Sequence, residues 1–283
     1  MQPDLVETFL DLCDTRSFHR SAERLGLTQS TVSARIAALE GELGVRLFTR
    51  SRAGTDLTTE GLKFAPHARA LRHAWAEARR AVTPTGEAAL SLRIGIQNDL
   101  AAGRTGDWVQ GFRRALPDCA FYIEPDYSAQ MCRDLAEGRL DFAVIYTPHP
   151  VPDLHFTTLG EVRYRLVSSD TDRRAGLRAD RYIRANYAPA FAAAHGATLP
   201  EMGDAILASG QNAAVAGLLA SLGGAAFVLE ETARALIAGG GFRMVADVGP
   251  IGQPVHAAMH LRHRTQPMHR ALLRTVQRPF ARN

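Results

Sequence analysis

Apolar residues recur at helical spacing through the first part of the chain, and turn-forming glycines interrupt them. Leu5, Phe9 and Leu12 predict a first helix. A short second helix is predicted to begin after Ser17 or Ser21 and to end at Gly26. A third helix, capped by Thr28 and ended by Gly44, has one apolar stripe that consists of Val32, Ile36, Leu39 and Leu43. Two short helices joined by a tight turn predict a helix-turn-helix unit.

The other face of the third helix is small, polar and free of acids in its N-terminal half. Glutamine pairs with adenine, arginine pairs with guanine, and hydroxyls bond to bases or phosphates, whereas phosphates repel a carboxylate. A face of this kind is often only solvated, so the neighbouring residues decide its meaning. The exposed residues of this half are Gln29, Ser30, Thr31, Ser33, Ala34 and Arg35.

A short basic hairpin, or wing, is predicted to follow the third helix. Its turn lies at Ala53 and Gly54, and Arg50 and Arg52 lie near its tip. Seven arginines and three acids lie between residues 16 and 52, a local charge of +4. A basic wing beside a readable helix is typical of a phosphate contact next to an element that reads bases.

One longer helix is predicted from residue 59 to residue 82. Its apolar residues are spaced 4, 3, 4, 3 and 4, which is a coiled-coil seam, and they are Phe64, Ala68, Leu71, Trp75, Ala78 and Val82. Packing against its own domain would give the same stripe. Because an unpaired Trp75 seam between two domains would be a large apolar patch, we favour dimerisation.

Turn-forming residues from 83 to 86 end this helix, and strands alternate with helices beyond residue 90. Residues 142–146 are a continuous apolar run, which predicts a strand buried on both faces. The alternation predicts a mostly parallel sheet covered by helices. The expected fold class is therefore α+β in the N-terminal part and α/β in the C-terminal part.

Ligands of such sheets bind beyond the carboxyl ends of the strands. The ligand-binding candidates at these places are Gln97, Asn98, Asp99, Ser128, Tyr146, Thr147, Ser209, Gly210, Gln211 and Asn212. Taken singly, each is equally well an ordinary turn or capping residue. Asp99 would repel an anion, so either the ligand is neutral or cationic, or Asp99 turns away to cap the next helix.

Composition limits the class of protein. The chain has 283 residues with 46% hydrophobic and 22% charged residues and a net charge of +4, which indicates a soluble globular protein of two domains or one large one. No apolar run is long enough for a membrane helix, so no membrane partner is expected. Residues 1–14 hold four acids and no Lys or Arg, unlike the start of a signal peptide, and we expect a cytoplasmic protein.

The sequence has only weak patterns of the kinds that indicate a catalytic or metal-binding site. Cys13, Cys119 and Cys132 are too scattered for a disulfide framework or a zinc site. His260 and His263 lie at a predicted strand end, where their side chains should diverge. The sequence contains neither a nucleophile elbow nor a carboxylate pair with a catalytic rationale. We therefore expect no metal, no cofactor and no enzymatic activity.

The N-terminal sequence resembles the LysR-type transcriptional regulators. The resemblance covers residues 4–61 and rests on Phe9, Ser17, Phe18, Ala22, Leu25, Leu27, Thr28, Gln29, Ser30, Val32, Ser33, Ile36, Leu39, Glu40, Leu43, Gly44, Leu47, Phe48, Arg50, Leu57, Thr58 and Gly61. The order of elements beyond residue 86 resembles the second domain of that family. Asn186-Tyr187, Pro189 to Phe191 and Gly223-Gly224 resemble the branch that contains a repressor of the flagellar master operon.

This resemblance implies an architecture. It implies a winged helix-turn-helix over residues 1–58 and a dimerising linker helix with a hinge over 59–86. Residues 87–283 would form a periplasmic-binding-protein-like effector domain of two α/β subdomains. Carried over by position, the residues that contact DNA would be Thr28, Gln29, Ser30, Thr31, Ser33 and Arg35 of the third helix, with Arg50 and Arg52 of the wing. One departure is Ala34, where relatives often have a larger polar or basic residue.

The resemblance also implies a function. It implies a sequence-specific regulator that binds an interrupted palindrome in double-stranded DNA as a homodimer or homotetramer. A small-molecule effector in the C-terminal cleft would modulate it, and RNA polymerase is a further candidate partner. Two alternatives stay open, a small-molecule-binding protein and an architectural DNA binder with weak sequence specificity, whose affinity would fall steeply with salt.

Overall fold

The computed structural model describes residues 2–51, 54–82 and 90–280. These residues fall into two compact units, which divide near residue 86. The predicted hinge at 83–86 lies outside the described residues. None of the described helices combines the length and the apolar character that a membrane-spanning segment requires.

The N-terminal unit consists of helices and one hairpin. In chain order they are α1 (Pro3–Thr15), α2 (Phe18–Leu25), α3 (Gln29–Leu43), β1 (Phe48–Ser51), β2 (Gly54–Leu57) and α4 (Thr59–Ala81). Ser17 caps α2 by accepting the N–H of Arg20, and Gly26 and Gly44 end α2 and α3 in the left-handed conformation. The helix ends predicted from the sequence are confirmed.

Phe9 lies at the centre of the core of this unit. Its ring contacts Phe48 of the hairpin at 5.3 Å and Phe64 of α4 at 5.0 Å between centroids. Val32, Ile36 and Leu39 are buried beside it, so the predicted stripe of α3 faces the core. The apolar face of α3 therefore packs inward and leaves the polar face outward.

The C-terminal unit alternates strands with helices. They are β3 (Leu90–Gln97), α5 (Asn98–Ala115), β4 (Cys119–Asp126), α6 (Ser128–Ala136), β5 (Phe142–Ile145), β6 (Leu154–Ser168), β7 (Ile183–Ala185), α7 (Pro189–Thr198), β8 (Leu207–Ser209), α8 (Asn212–Leu222), β9 (Ala225–Leu229), α9 (Glu230–Ala238), β10 (Arg243–Met244), β11 (Ile251–His260) and α10 (Pro267–Gln277).

Within the described residues, seven strands form one sheet in the order β10-β6-β11-β5-β3-β4, and β9 also pairs with β6. β3 is parallel to β4 and to β5. The long strands β6 and β11 are antiparallel to each other, and β5 and β9 join them antiparallel as well. β7 and β8 form a separate parallel pair.

The prediction of a mostly parallel sheet is therefore wrong for the strands that join this sheet after β5, because they pair antiparallel. The earlier parts of β6 and β11 do not have the pattern of strands in the sequence. Thr157, Thr158 and Glu161 make the start of β6 polar, and Gly252 and Pro254 interrupt the apolar pattern of β11. The predicted strand at 142–146 is confirmed as β5, all of whose residues are buried.

Candidate nucleic-acid interface and effector cleft

A cluster of hydroxyls surrounds the start of α3. The Thr28 hydroxyl oxygen accepts the backbone N–H of Thr31 at 3.2 Å and so caps the helix. It also lies 2.9 Å from the Ser30 hydroxyl and 2.8 Å from the Thr31 hydroxyl. The cap fixes the first turn of α3 while these polar groups stay at the surface.

The first turn of α3, all of it within the described residues, carries no acidic residue. Gln29 and Ser30 are exposed, and Thr31 and Ser33 are half-buried. Ala34 is exposed as well, so its small side chain leaves open space where a longer residue would project. The structure thus brings five of the six predicted contact residues of the third helix, Thr28 to Thr31 and Ser33, to one end of α3.

Arg35, the sixth predicted residue, is bonded to α1. Its Nη2 lies 2.9 Å from Asp4 Oδ2, and its Nη1 donates to the Thr8 hydroxyl oxygen at 3.3 Å. The side chain is 26% exposed. To contact DNA, Arg35 would first have to leave Asp4.

The predicted wing is present as the antiparallel pair β1 and β2. Arg50 lies opposite Thr55, and Phe48 opposite Leu57. Phe48 is buried in the core, which ties the base of the hairpin to the helices. Arg52, the other predicted wing contact, lies outside the described residues.

Sequence reasoning missed the residues that position the wing. Glu40 Oε1 accepts the backbone N–H of Leu47 at 2.7 Å and that of Phe48 at 3.2 Å. The Thr58 hydroxyl donates to the Arg46 carbonyl oxygen at 2.7 Å. These bonds attach the wing to α3 and to the start of α4. The position of Thr58 just before α4 is a signal that the sequence contains, because threonine is a common N-cap residue. Glu40 gives no such signal, because an acid on a helix surface is usually only solvated.

The predicted seam of α4 is divided. Phe64 and Ala68 belong to the core of their own unit, where Ala68 is fully buried. Leu71, Trp75, Ala78 and Val82 are exposed, Trp75 by 50%. Of the predicted seam, only these last four residues are available for a partner helix. The sequence could not separate them from Phe64 and Ala68, because heptad spacing is the same whether a helix packs on its own domain or on a second copy.

The structure brings the first group of predicted effector residues together around Ser128. The Ser128 hydroxyl donates to Gln97 Oε1 at 2.8 Å and accepts the backbone N–H groups of Tyr146 and Thr147, each at 3.1 Å. Gln97, Ser128 and Tyr146 are buried. This cluster joins the ends of β3 and β5 to the start of α6.

Asp99 forms the second group. It lies in the first turn of α5, is 2% exposed, and its Oδ1 accepts the backbone N–H of Asn212 at 3.1 Å. The Tyr164 hydroxyl lies 2.9 Å from Asp99 Oδ2 and 2.9 Å from the Tyr146 hydroxyl. Burial raises the pKa of the Asp99 carboxyl to about 7, although both hydrogen bonds act to lower it.

Burial also raises the pKa of Tyr146 and of Tyr164 well above the usual tyrosine value. Both hydroxyls are therefore neutral donors and acceptors next to Asp99. Tyr164 is not among the site residues predicted from the sequence, since a tyrosine in an apolar strand usually packs in the core.

The last group follows β8. Asn212 is buried, with its Oδ1 accepting the N–H of Leu229 and its Nδ2 donating to the Thr232 hydroxyl oxygen. Ser209 and Gly210 are half-buried and Gln211 is exposed. A Cβ on Gly210 would lie 3.2 Å from the Tyr127 hydroxyl, which belongs to the segment after β4. Gly210 therefore lies close to the segment after β4, and Asn212, through its bond to Asp99, lies close to the end of β3.

Two family models match the chain. A model described as the bacterial regulatory helix-turn-helix protein of the lysR family matches residues 3–62. A model described as the LysR substrate binding domain matches residues 85–281.

Curated relatives and solved structures agree with these matches. The HTH-type transcriptional regulator HdfR of Yersinia enterocolitica is 30% identical over 97% of this chain and 96% of its own length. A full-length LysG from Corynebacterium glutamicum with bound effector Arg has a TM-score of 0.55 at 20% identity, with 98% of each chain covered. A full-length OxyR from Pseudomonas aeruginosa has a TM-score of 0.56 at 19% identity, again with 98% of each chain covered.

These two structures establish the fold, and the HdfR relative and the model of residues 85–281 establish the family. The resemblance seen in the N-terminal sequence is confirmed. The chain belongs to the LysR family of transcriptional regulators, with a helix-turn-helix DNA-binding domain and an effector-binding domain.

Proposed function

We propose that this regulator binds an interrupted palindrome in duplex DNA as a dimer or a pair of dimers, and that α3 of each subunit reads one half-site. The base-reading residues are Thr28, Gln29, Ser30, Thr31 and Ser33. Arg35 contacts a phosphate after it leaves Asp4. Arg50 and Arg52 of the wing contact phosphates.

One observation carries this proposal, namely the exposed, acid-free start of α3. Gln29 and Ser30 are exposed at the N-terminal end of α3, ahead of the buried Val32 and Ile36. A helix presents base-reading side chains to the major groove from its N-terminal half, beside a flanking element that holds the backbone. The wing attached by Glu40 is such an element.

The four exposed seam residues of α4 support the dimer. An apolar stripe that includes a half-exposed tryptophan is stable in water when a second copy covers it. Two copies place two α3 helices on one DNA molecule, which is why we expect an inverted repeat rather than a single site.

The effector domain supports regulation by a small molecule. Gln97, Ser128, Asp99 and Asn212 meet at the ends of β3 and β5 and at the start of α8, where open sheets bind ligands. A ligand there would shift the balance between arrangements of the two subdomains. Since the target is chromosomal DNA, we place the protein in the cytoplasm and propose RNA polymerase as the further partner.

The test is selection of binding sites from random duplex DNA with purified full-length protein, followed by affinity measurements at two salt concentrations. We expect an enriched inverted repeat with a spacer between its halves. Binding without any enriched motif, together with a steep loss of affinity in salt, would instead indicate an architectural DNA binder. Failure to bind any duplex would leave a small-molecule-binding protein.

A further inference from the structure

The Asp99 carboxylate is a buried acid whose hydrogen bonds come from neutral groups. Its two oxygens meet the Asn212 backbone N–H and the Tyr164 hydroxyl. Arg104, on the same helix, lies 3.6 Å from Glu231 and forms an ion pair with it. A buried carboxylate without a paired cation is costly, so the structure places this side chain where neutral donors converge.

The position of Asp99 joins two parts of the effector domain. Asp99 lies in the first turn of α5, which follows β3, and it accepts the first N–H of α8. Asp99 and Asn212 are 113 residues apart in the chain. The starts of two helices, each the positive end of a helix dipole, therefore share one carboxylate.

We propose that Asp99 is a tethered carboxyl group that fills a carboxyl-binding position between α5 and α8. The Asp99 side chain makes, from within the chain, the contacts that the carboxyl group of a ligand would make, and it holds the two parts together when no ligand is bound. The effector consequently presents a neutral or cationic group to this point. This last step rests on the proposed effector binding, whereas the tethered carboxyl group itself does not.

Shortening Asp99 tests the proposal directly. Asp99→Ala removes a carboxylate the size of formate, so free formate should enter the space and restore the lost contact. We expect formate at 0.1 M to raise the melting temperature of the Asp99→Ala protein by about 3 °C or more, as a ligand of the folded state does. The same concentration of sodium chloride should give no such rise.

Three matched proteins control the experiment. The unaltered protein and the Asp99→Asn variant both retain a side chain that fills the position, so formate should leave their melting temperatures unchanged. Asp107→Ala removes an exposed acid from the same helix and should behave like the unaltered protein. If the Asp99→Ala protein is unfolded in buffer, far-ultraviolet circular dichroism follows the same titration, and formate-dependent folding is the expected result.

Equal formate effects in all four proteins, or no effect on the Asp99→Ala protein by either readout, would overturn the proposal. DNA selection by the unaltered protein is scored separately. A selected inverted repeat together with no formate rescue would reject the tethered carboxyl group alone. Formate rescue without DNA binding would reject the proposed function and leave the role of Asp99 intact.

Discussion

The Arg35 guanidinium lies against the Asp4 carboxylate, with 2.9 Å between Nη2 and Oδ2. This ion pair holds the one cation of the α3 reading face against α1 in the absence of DNA. It is an exposed pair, since the Asp4 side chain is 61% exposed, and such pairs contribute little to stability. Replacement of Asp4 by a DNA phosphate as the partner of Arg35 should therefore cost little free energy.

Asp4→Asn releases Arg35 toward DNA. We expect affinity for all duplexes to rise a few-fold, and the slope of log affinity against log salt to steepen by about one, as for one added phosphate contact. Fluorescence anisotropy over a salt series measures this. Glu7→Gln removes the same charge from the same helix without releasing Arg35, and an equal slope change in both variants would reject the exchange.

Trp75→Ala should weaken the dimer and leave the DNA-binding domain folded. Trp75 is half-exposed in a single copy, and a buried tryptophan at an interface commonly contributes at least about 2 kcal/mol. We expect the dimer dissociation constant from sedimentation equilibrium to rise at least about tenfold. Phe64→Ala, in contrast, removes the contact with Phe9 and should lower the melting temperature while leaving dimerisation much less affected. An unchanged dissociation constant for Trp75→Ala would place the interface elsewhere.

Gly61→Ala tests the attachment of α4 to the wing. A Cβ at Gly61 would lie 2.2 Å from the Leu47 carbonyl oxygen, which is backbone and cannot simply rotate away. We expect a loss of about 1–3 kcal/mol in the free energy of unfolding. Gly41→Ala is the control, because a Cβ there meets nothing within 4 Å and alanine favours a helix by about 1 kcal/mol over glycine. Urea denaturation compares the two, and equal effects would contradict the close approach.

Protonation of Asp99 should give the effector domain a distinct pH dependence. Burial raises its pKa in the folded chain to about 7, whereas in the unfolded chain it is about 3.9. The folded state therefore binds more protons between about pH 4 and pH 7, and its free energy of unfolding falls as the pH rises through this window, by up to about 1.4 kcal/mol per unit.

The Asp99→Asn variant cannot titrate and should lack this fall. The comparison is urea denaturation of both proteins from pH 4.5 to pH 7.5, with the difference between them as the readout, since other groups titrate equally in both. A difference that stays constant over the range would show that Asp99 keeps its ordinary pKa.

Local signals made the N-terminal unit predictable. Ser17, Gly26, Thr28 and Gly44 act through capping bonds to residues a few positions away, and the stripe of α3 has one period over its whole length. These features are written in neighbouring residues, so they could be derived without knowledge of the tertiary structure.

Long-range pairing explains what was missed. β11 alternates buried and exposed residues from Ile251 to Val255, yet glycine and proline occupy its exposed positions, and its pairing with β6 joins segments far apart in the chain. The contact between Asp99 and Asn212 has the same origin. The sequence placed both residues at strand ends but could not show that one bonds the other.

The most direct test of the account concerns Gln29. Once an operator is selected, affinities for it and for each single base-pair variant are measured with the unaltered protein and with Gln29→Ala, whose melting temperature should be unchanged because Gln29 is exposed. We predict that Gln29→Ala loses discrimination of about tenfold at one base pair of each half-site and keeps it at the others. An unchanged preference at every position would contradict the claim that the start of α3 reads the bases.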